Sequence, residues 1–323
     1  TQCTLIPEPG RIIRNATIII RNDRVEAAGA QIAIPVGATV RSLNGAYVYA
    51  GFIESYSSVG VPGGSQKRGF ATEGEDEIEK PASLNRGARY WNEAIKPEFN
   101  IANSLGIDEK SAAELYKQGF CIAHVNSMDG IMRGTSALVF AKAGSATEVI
   151  LKPDIAQWMS FRKGNSRNAY PSALMGSIAL IRQAFLDGQW YADAQNTFSN
   201  NPKVPAPETN FSLEAIAGIM SRKTPIVFET GNEHAVLRAA AIAKEFDLKL
   251  IYEGSGYEYR RLPQIASLKS PMIIPLSFPG APNVQSLRSA SGVSLAELKS
   301  WDAAPSNPAM LESAGIRFAF TLN

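Results

Sequence analysis

Imidazoles, thiols and carboxylates are the side chains that hold metals or move protons, and this sequence is short of the first two. It has two histidines, His124 and His234, and two cysteines, Cys3 and Cys121, in 323 residues. A hydrolytic zinc site draws on three or four imidazoles and carboxylates. The two cysteines fit no zinc spacing and build no disulfide framework. Carboxylates are better represented. Glu54, Glu229 and Glu253 each close a short apolar run, and strand ends are where parallel α/β folds gather their functional groups. With Lys163 they are candidates for one shared pocket. Such a pocket could bind Ca²⁺ or Mg²⁺ through oxygen, or set two carboxylates against each other for acid–base work. The expected reading is a polar plug whose charges satisfy one another. His124 near the end of Cys121-Ile-Ala-His-Val is expected as a lone hydrogen-bonded histidine. His234 at a helix start is expected to be exposed or capping.

The elements that must position these groups follow from periodicity. Ala16-Thr-Ile-Ile-Ile is β-branched and reads as a strand. Asn44-Gly45 is a hairpin dipeptide, because both residues tolerate positive φ. Tyr47-Val-Tyr-Ala-Gly-Phe-Ile reads as one apolar strand buried on both faces. Residues 60–100, with Gly63-Gly64 and a charge run at 73–80, read as a long loop. Within it Tyr90-Trp-Asn-Glu-Ala-Ile-Lys-Pro either lines a pocket or anchors the loop.

From about residue 108 helices and strands alternate. Helices are predicted at 111–118, 172–187 and 234–246, and strands at 121–125, 135–141, 225–229, 248–253, 271–276 and 316–321. The 172–187 helix has Leu174, Ile178, Ile181 and Phe185 at three- and four-residue spacing. Short strands alternating with helices predict a parallel sheet with right-handed crossovers, either doubly wound or closed into a barrel. No G-x-G-x-x-G follows the first strand, which lowers the dinucleotide-binding alternative.

Composition excludes little else. Apolar residues are 45% and charged residues 19%, with a net charge of +2, so no global field draws in nucleic acid or anionic lipid. No apolar stretch approaches membrane-spanning length.

The segment Asn44-Gly-Ala-Tyr-Val-Tyr-Ala-Gly-Phe-Ile-Glu-Ser-Tyr-Ser-Ser-Val-Gly60 resembles the amidohydrolase superfamily. There a small β-sandwich leads into barrel strand 1, which ends in Pro-Gly-Phe-Ile-Asp-x-His-x-His. Gly51, Phe52, Ile53 and the acid Glu54 match that signature. Gly134-Thr-Ser-Ala-Leu-Val, Pro171-Ser-x-x-Met-Gly-x-x-Ala-Leu-x-Arg182 and Asn307-Pro-Ala-Met-Leu-x-x-Ala-Gly-Ile316 are similar to stretches of its imidazolonepropionase-like branch. The resemblance implies an α/β fold: a (β/α)₈ TIM barrel of the metal-dependent hydrolase type over 50–323, reaching about strand 8. It also implies an incomplete β-sandwich subdomain over 1–49, and a barrel truncated at its C-terminus.

The resemblance also implies where the zinc ligands belong, and they are replaced. The two strand-1 histidine positions hold Tyr56 and Ser58, the third holds Glu229, the fourth Gly254, and the strand-8 aspartate position holds Asn323. A phenol with an ordinary pKa of about 10 and a serine hydroxyl are poor zinc ligands. No zinc or other cofactor is therefore expected. The expectation is an inactive amidohydrolase-like domain that serves as a structural or interaction module. Its partner would be a catalytic C-terminal domain of the same polypeptide, or a second subunit. The enzyme alternative is a hydrolase of non-peptide C–N bonds that uses Glu54 and Glu229 in place of imidazoles. A third reading is a ligand-binding module at the barrel mouth. The ends, Thr1 and Asn323, read as cut, so a trimmed signal peptide and a cell-envelope or periplasmic location are compatible with the sequence.

Overall fold

The computed structural model describes residues 1–22, 24–62, 87–201, 203–221 and 224–322. The charge run 73–80, Gly63-Gly64 and Asn323 lie outside the described residues. The chain divides into two compact units, Thr1–Phe52 and Ile53–Asn323.

The first unit is a mixed sheet of β1 (Cys3–Glu8), β2 (Arg11–Arg21), β3 (Arg24–Ala30) and β4 (Tyr47–Tyr49), in the order β3-β2-β1-β4. Cys3, Leu5 and Ala16 are buried on one face, with Ile13, Ile18, Leu43 and Val48 packed against them. Asn44-Gly45 does form a turn, closed by Ala46 N–H donating to the Leu43 carbonyl at 2.8 Å. It makes no hairpin, because β4 pairs with β1 in parallel. The single strand expected from Tyr47 to Ile53 is also corrected. It breaks at Ala50-Gly51, and Phe52 and Ile53 are 58% and 55% exposed rather than buried.

Strand β5 (Phe52–Ser57) has its first residue in the first unit and the rest in the second, which continues with β6 (Gly106–Ile107), α1 (Glu109–Lys117), β7 (Phe120–Val125), β8 (Met132–Thr135), β9 (Ala137–Phe140), β10 (Gly144–Ser145), α2 (Ala146–Val149) and β11 (Ile150–Lys152). From there strand and helix alternate. The order is β12 (Gln157–Ser160), α3 (Leu174–Asn200), α4 (Phe211–Met220), β13 (Ile226–Glu229), α5 (Glu233–Glu245), β14 (Leu250–Glu253), α6 (Leu262–Ser267), β15 (Met272–Pro275), α7 (Leu287–Ser291), α8 (Leu295–Ala303), α9 (Asn307–Ser313) and β16 (Phe318–Thr321). The larger sheet has the order β16-β15-β14-β13-β12-β8, and its strands β12 to β16 are mutually parallel. The predicted alternation holds here because each connection contains a helix that crosses back over the sheet.

It fails between residues 126 and 157. There β9 pairs antiparallel with β7 and β11, and β8 antiparallel with β12. The connections in this stretch hold only the one-turn helix α2, too little for parallel crossovers. The strand expected at 135–141 is split by Ser136, whose hydroxyl and N–H both bond to the Ala156 carbonyl. Gly134, with φ +86°, lies so close to Phe99 that a Cβ there would sit 1.9 Å from its carbonyl oxygen. Only glycine permits that approach. Among the described residues the ladder β11-β9-β7-β5 and the six-stranded ladder are separate sheets, and no backbone pairing joins them into a ring.

Several helices start at polar caps. The side chains of Asp108, Asn210 and Asn232 accept from the backbone N–H of Ser111, Leu213 and Ala235, the usual remedy for orphan first-turn donors. The helix predicted to end at 187 runs on to Asn200, and Gly188 within it lets Ile216 of α4 pack closely. Tyr90 is an anchor for its loop: it is buried, and its hydroxyl donates to Asp187 at 2.7 Å. No described helix is long and apolar enough to cross a membrane.

Candidate functional site

Alternation along the parallel strands decides which side chains meet. Met159, Ile226, Phe228, Leu250, Tyr252, Met272 and Ile274 face the helices in the main core. The intervening residues Trp158, Val227, Ile251 and Ile273 form a second cluster on the opposite face, together with Tyr56 of β5. Glu229 and Glu253, two residues beyond Val227 and Ile251, extend that second face at the strand ends. Both are buried.

The charge at Glu229 is fully engaged. Its Oε2 accepts from the Tyr56 hydroxyl at 2.5 Å and from Arg133 Nη1 at 2.6 Å, and its Oε1 is paired with Arg162. Arg133 is almost wholly buried, and its Nε donates to the Gly130 carbonyl at 3.0 Å. Burial pulls its pKa below the ordinary guanidinium value, while Tyr56 and Glu253 nearby favour the charged form. Arg162 is half exposed and closes the cluster from the solvent side. Tyr56 stacks on Trp158, with ring centroids 4.9 Å apart and planes 16° apart. Charge and hydrogen bonds satisfied in this way are what a buried carboxylate requires.

Glu54 forms a second buried knot. Its Oε1 accepts from the Tyr56 N–H at 3.0 Å and from the Thr321 hydroxyl, and its Oε2 accepts from the Leu322 N–H at 3.0 Å. It therefore links β5 to β16 through side-chain bonds. His124 presents Nε2 to the Ser136 hydroxyl at 2.7 Å and its ring edge to Trp158, with centroids 5.5 Å apart. Burial lowers its pKa to about 4, partly opposed by a backbone hydrogen bond at Ser55. The imidazole is thus neutral at pH 7 and follows the expected hydrogen-bonded reading.

This burial makes stability depend on pH. The folded pKa lies below the unfolded value of about 6.5, so between these values the unfolded state binds the extra proton. Stability is therefore expected to fall as the pH drops from about 6.5 towards 4, by up to about 2–3 kcal/mol from this group. An NMR titration should show the His124 ring neutral down to about pH 5. A midpoint near 6.5 would show that the ring is solvated.

The structure redistributes the other candidates. Lys163 leaves the cluster and donates to the Asn168 carbonyl at 3.0 Å; its neighbour Arg162 takes the place expected for it. Ser58 closes a turn through its carbonyl, which accepts from Val61 N–H at 3.1 Å. At Gly254 a Cβ would lie 2.4 Å from Oε1 of Glu258. That buried carboxylate accepts from the N–H groups of Ser255 and Gly256 and from Asn307 Nδ2. No larger side chain fits at Gly254 unless this knot moves. His234 is 49% exposed, and the cap of its helix is Asn232. Sequence reasoning missed Arg133, Arg162 and Trp158. The available signal was an arginine set between Ile131-Met132 and Gly134 in an otherwise apolar stretch.

No family model and no curated protein matches the sequence. Among solved structures, the fold is similar to the crystal structure of an amidohydrolase from Thermotoga maritima MSB8. The TM-score is 0.72 at 19% identity, over 99% of this chain and 77% of that protein. A prolidase crystallised with N-methylphosphonate-L-proline gives a TM-score of 0.42 at 12% identity, over 99% of this chain and 76% of that one, and carries no weight here. The first likeness establishes an amidohydrolase-like α/β fold.

Proposed function

From an amidohydrolase-like fold with a charge-sealed mouth, we propose a catalytically inactive module of the imidazolonepropionase-like branch: a small β-sandwich followed by a (β/α)₈ barrel. It serves as a structural or interaction domain of a larger hydrolase. Its partner is a catalytic domain of the same polypeptide or a second subunit. The observation that carries this reading is the direct bonding of Tyr56 to Glu229, with Arg133 on the same carboxylate oxygen. Tyr56 and Glu229 stand at two of the positions to which the family resemblance assigns zinc ligands.

The residues present do not fit zinc. Glu229 is already paired with one buried guanidinium and one half-exposed one, and a divalent cation beside those two positive charges would meet like charge. Among the described residues no three His, Cys, Asp or Glu side chains are grouped as a metal ion requires. The carboxylate-based hydrolase is disfavoured by the same contacts. A general base needs a lone pair aimed at substrate, and both Glu229 oxygens are occupied by Tyr56, Arg133 and Arg162.

Elemental analysis of the purified protein, after dialysis and again after added zinc, is expected to find far less than one equivalent of metal. A stoichiometric metal, or hydrolysis of amide or cyclic-amide substrates that Glu229→Gln abolishes, would overturn the proposal.

A further inference from the structure

Three aspartyl or asparaginyl residues precede glycine in this sequence: Asn44-Gly45, Asp129-Gly130 and Asp187-Gly188. A following glycine leaves the backbone nitrogen unhindered, so each dipeptide can cyclise to a succinimide if the backbone lets that nitrogen reach Cγ. The fold treats the three differently.

Asp129 is tied at both oxygens. Oδ2 pairs with Lys96 Nζ at 2.5 Å and Oδ1 accepts from Asn165 N–H at 2.6 Å. Asp187 lies inside α3, where helical backbone keeps the next nitrogen away from Cγ, and its carboxylate is held by Tyr90 and Gln183. Asn44 has neither an anchored side chain nor a helical backbone, and its turn is held by the bond from Ala46 N–H to the Leu43 carbonyl at 2.8 Å. Asn44 and Gly45 are both exposed, Gly45 has φ +77°, and a Cβ at Gly45 would meet nothing within 4 Å. Among the described residues neither the Asn44 amide nor the Gly45 N–H makes a hydrogen bond.

We propose that Asn44 is a site of spontaneous deamidation that the fold leaves open, while it protects Asp129 and Asp187. The Gly45 nitrogen attacks Asn44 Cγ, the new N–Cγ bond forms, the bond from Cγ to Nδ2 breaks, and ammonia leaves. The Gly45 amide proton is lost in this step and the departing nitrogen gains one. Water then opens the succinimide at either carbonyl, giving aspartate or isoaspartate. The modification has a local consequence. Thr4 N–H donates to the Ala46 carbonyl at 2.9 Å, at the start of the β1–β4 pairing. Isoaspartate adds a methylene to the backbone two residues before that acceptor and introduces a negative charge.

The test is peptide mapping of the whole protein incubated in mildly alkaline buffer, native and in denaturant. Enzymatic isoaspartyl methylation reads the product. Asn44 is expected to convert in the native protein at close to its denatured rate. Asp129 and Asp187 should be slowed about tenfold or more, because they react only after local opening. Asn44→Gln should remove the main methyl-accepting product. Native protection of Asn44 comparable to that of the two aspartates, or dominant conversion at Asp129 or Asp187, would overturn the proposal.

Discussion

Replacing Arg133 by methionine is expected to destabilise the protein by about 3–5 kcal/mol, the range for breaking a buried ion pair from one side. The guanidinium is 1% exposed and the carboxylate of Glu229 4%, so water cannot replace the lost donor. Tyr56 and the half-exposed Arg162 remain on Glu229, which keeps the expectation at the lower end of that range. The double variant Arg133→Met with Glu229→Leu removes both charges and is expected to recover most of the loss, because apolar packing of similar volume often matches a buried pair. Urea unfolding of the two single variants and the double variant measures this. A cost below about 1 kcal/mol for Arg133→Met would place the pair among surface salt bridges, and the account of a buried, charge-satisfied Glu229 would fail.

Trp158→Ala should cost a comparable 3–5 kcal/mol, roughly, from lost transfer energy plus the cavity left behind. The indole is fully buried, stacked on Tyr56 and met by the edge of His124. A second readout separates this local role from general loosening. With the indole gone water reaches the imidazole, so the His124 pKa should rise from about 4 towards its ordinary value. Trp158→Phe keeps most of the stack. It also forfeits no hydrogen bond, since Trp158 Nε1 has no partner among the described residues. It should be the milder change on both measures. An unmoved His124 pKa in the alanine variant would show that the ring is not shielded by Trp158.

Much of this was legible in the sequence. The apolar runs ending in Glu229 and Glu253 and the amphipathic pattern of α5 identify parallel strands and crossover helices, because periodicity registers burial directly. The scarcity of histidine told against a histidine-based zinc site before any coordinate. A polar plug was expected from Glu229, Glu253 and Lys163, and of these Lys163 bonds to the Asn168 carbonyl instead of Glu229.

What supplied the neutralising charge was not legible. Arg133 and Glu229 are 96 residues apart, and no local pattern links one strand's arginine to another strand's carboxylate. Lys163 and Arg162 are adjacent cations, and only the backbone trace decides which of them reaches the site. Phe52 and Ile53 read as buried strand and stand exposed, because exposure depends on what the rest of the protein packs over a strand. Composition and alternation determined by themselves the kinds of element and the scarcity of histidine. The choice of partners was left to tertiary structure, since a contact across the sheet is fixed by register and topology rather than by the identity of neighbouring residues.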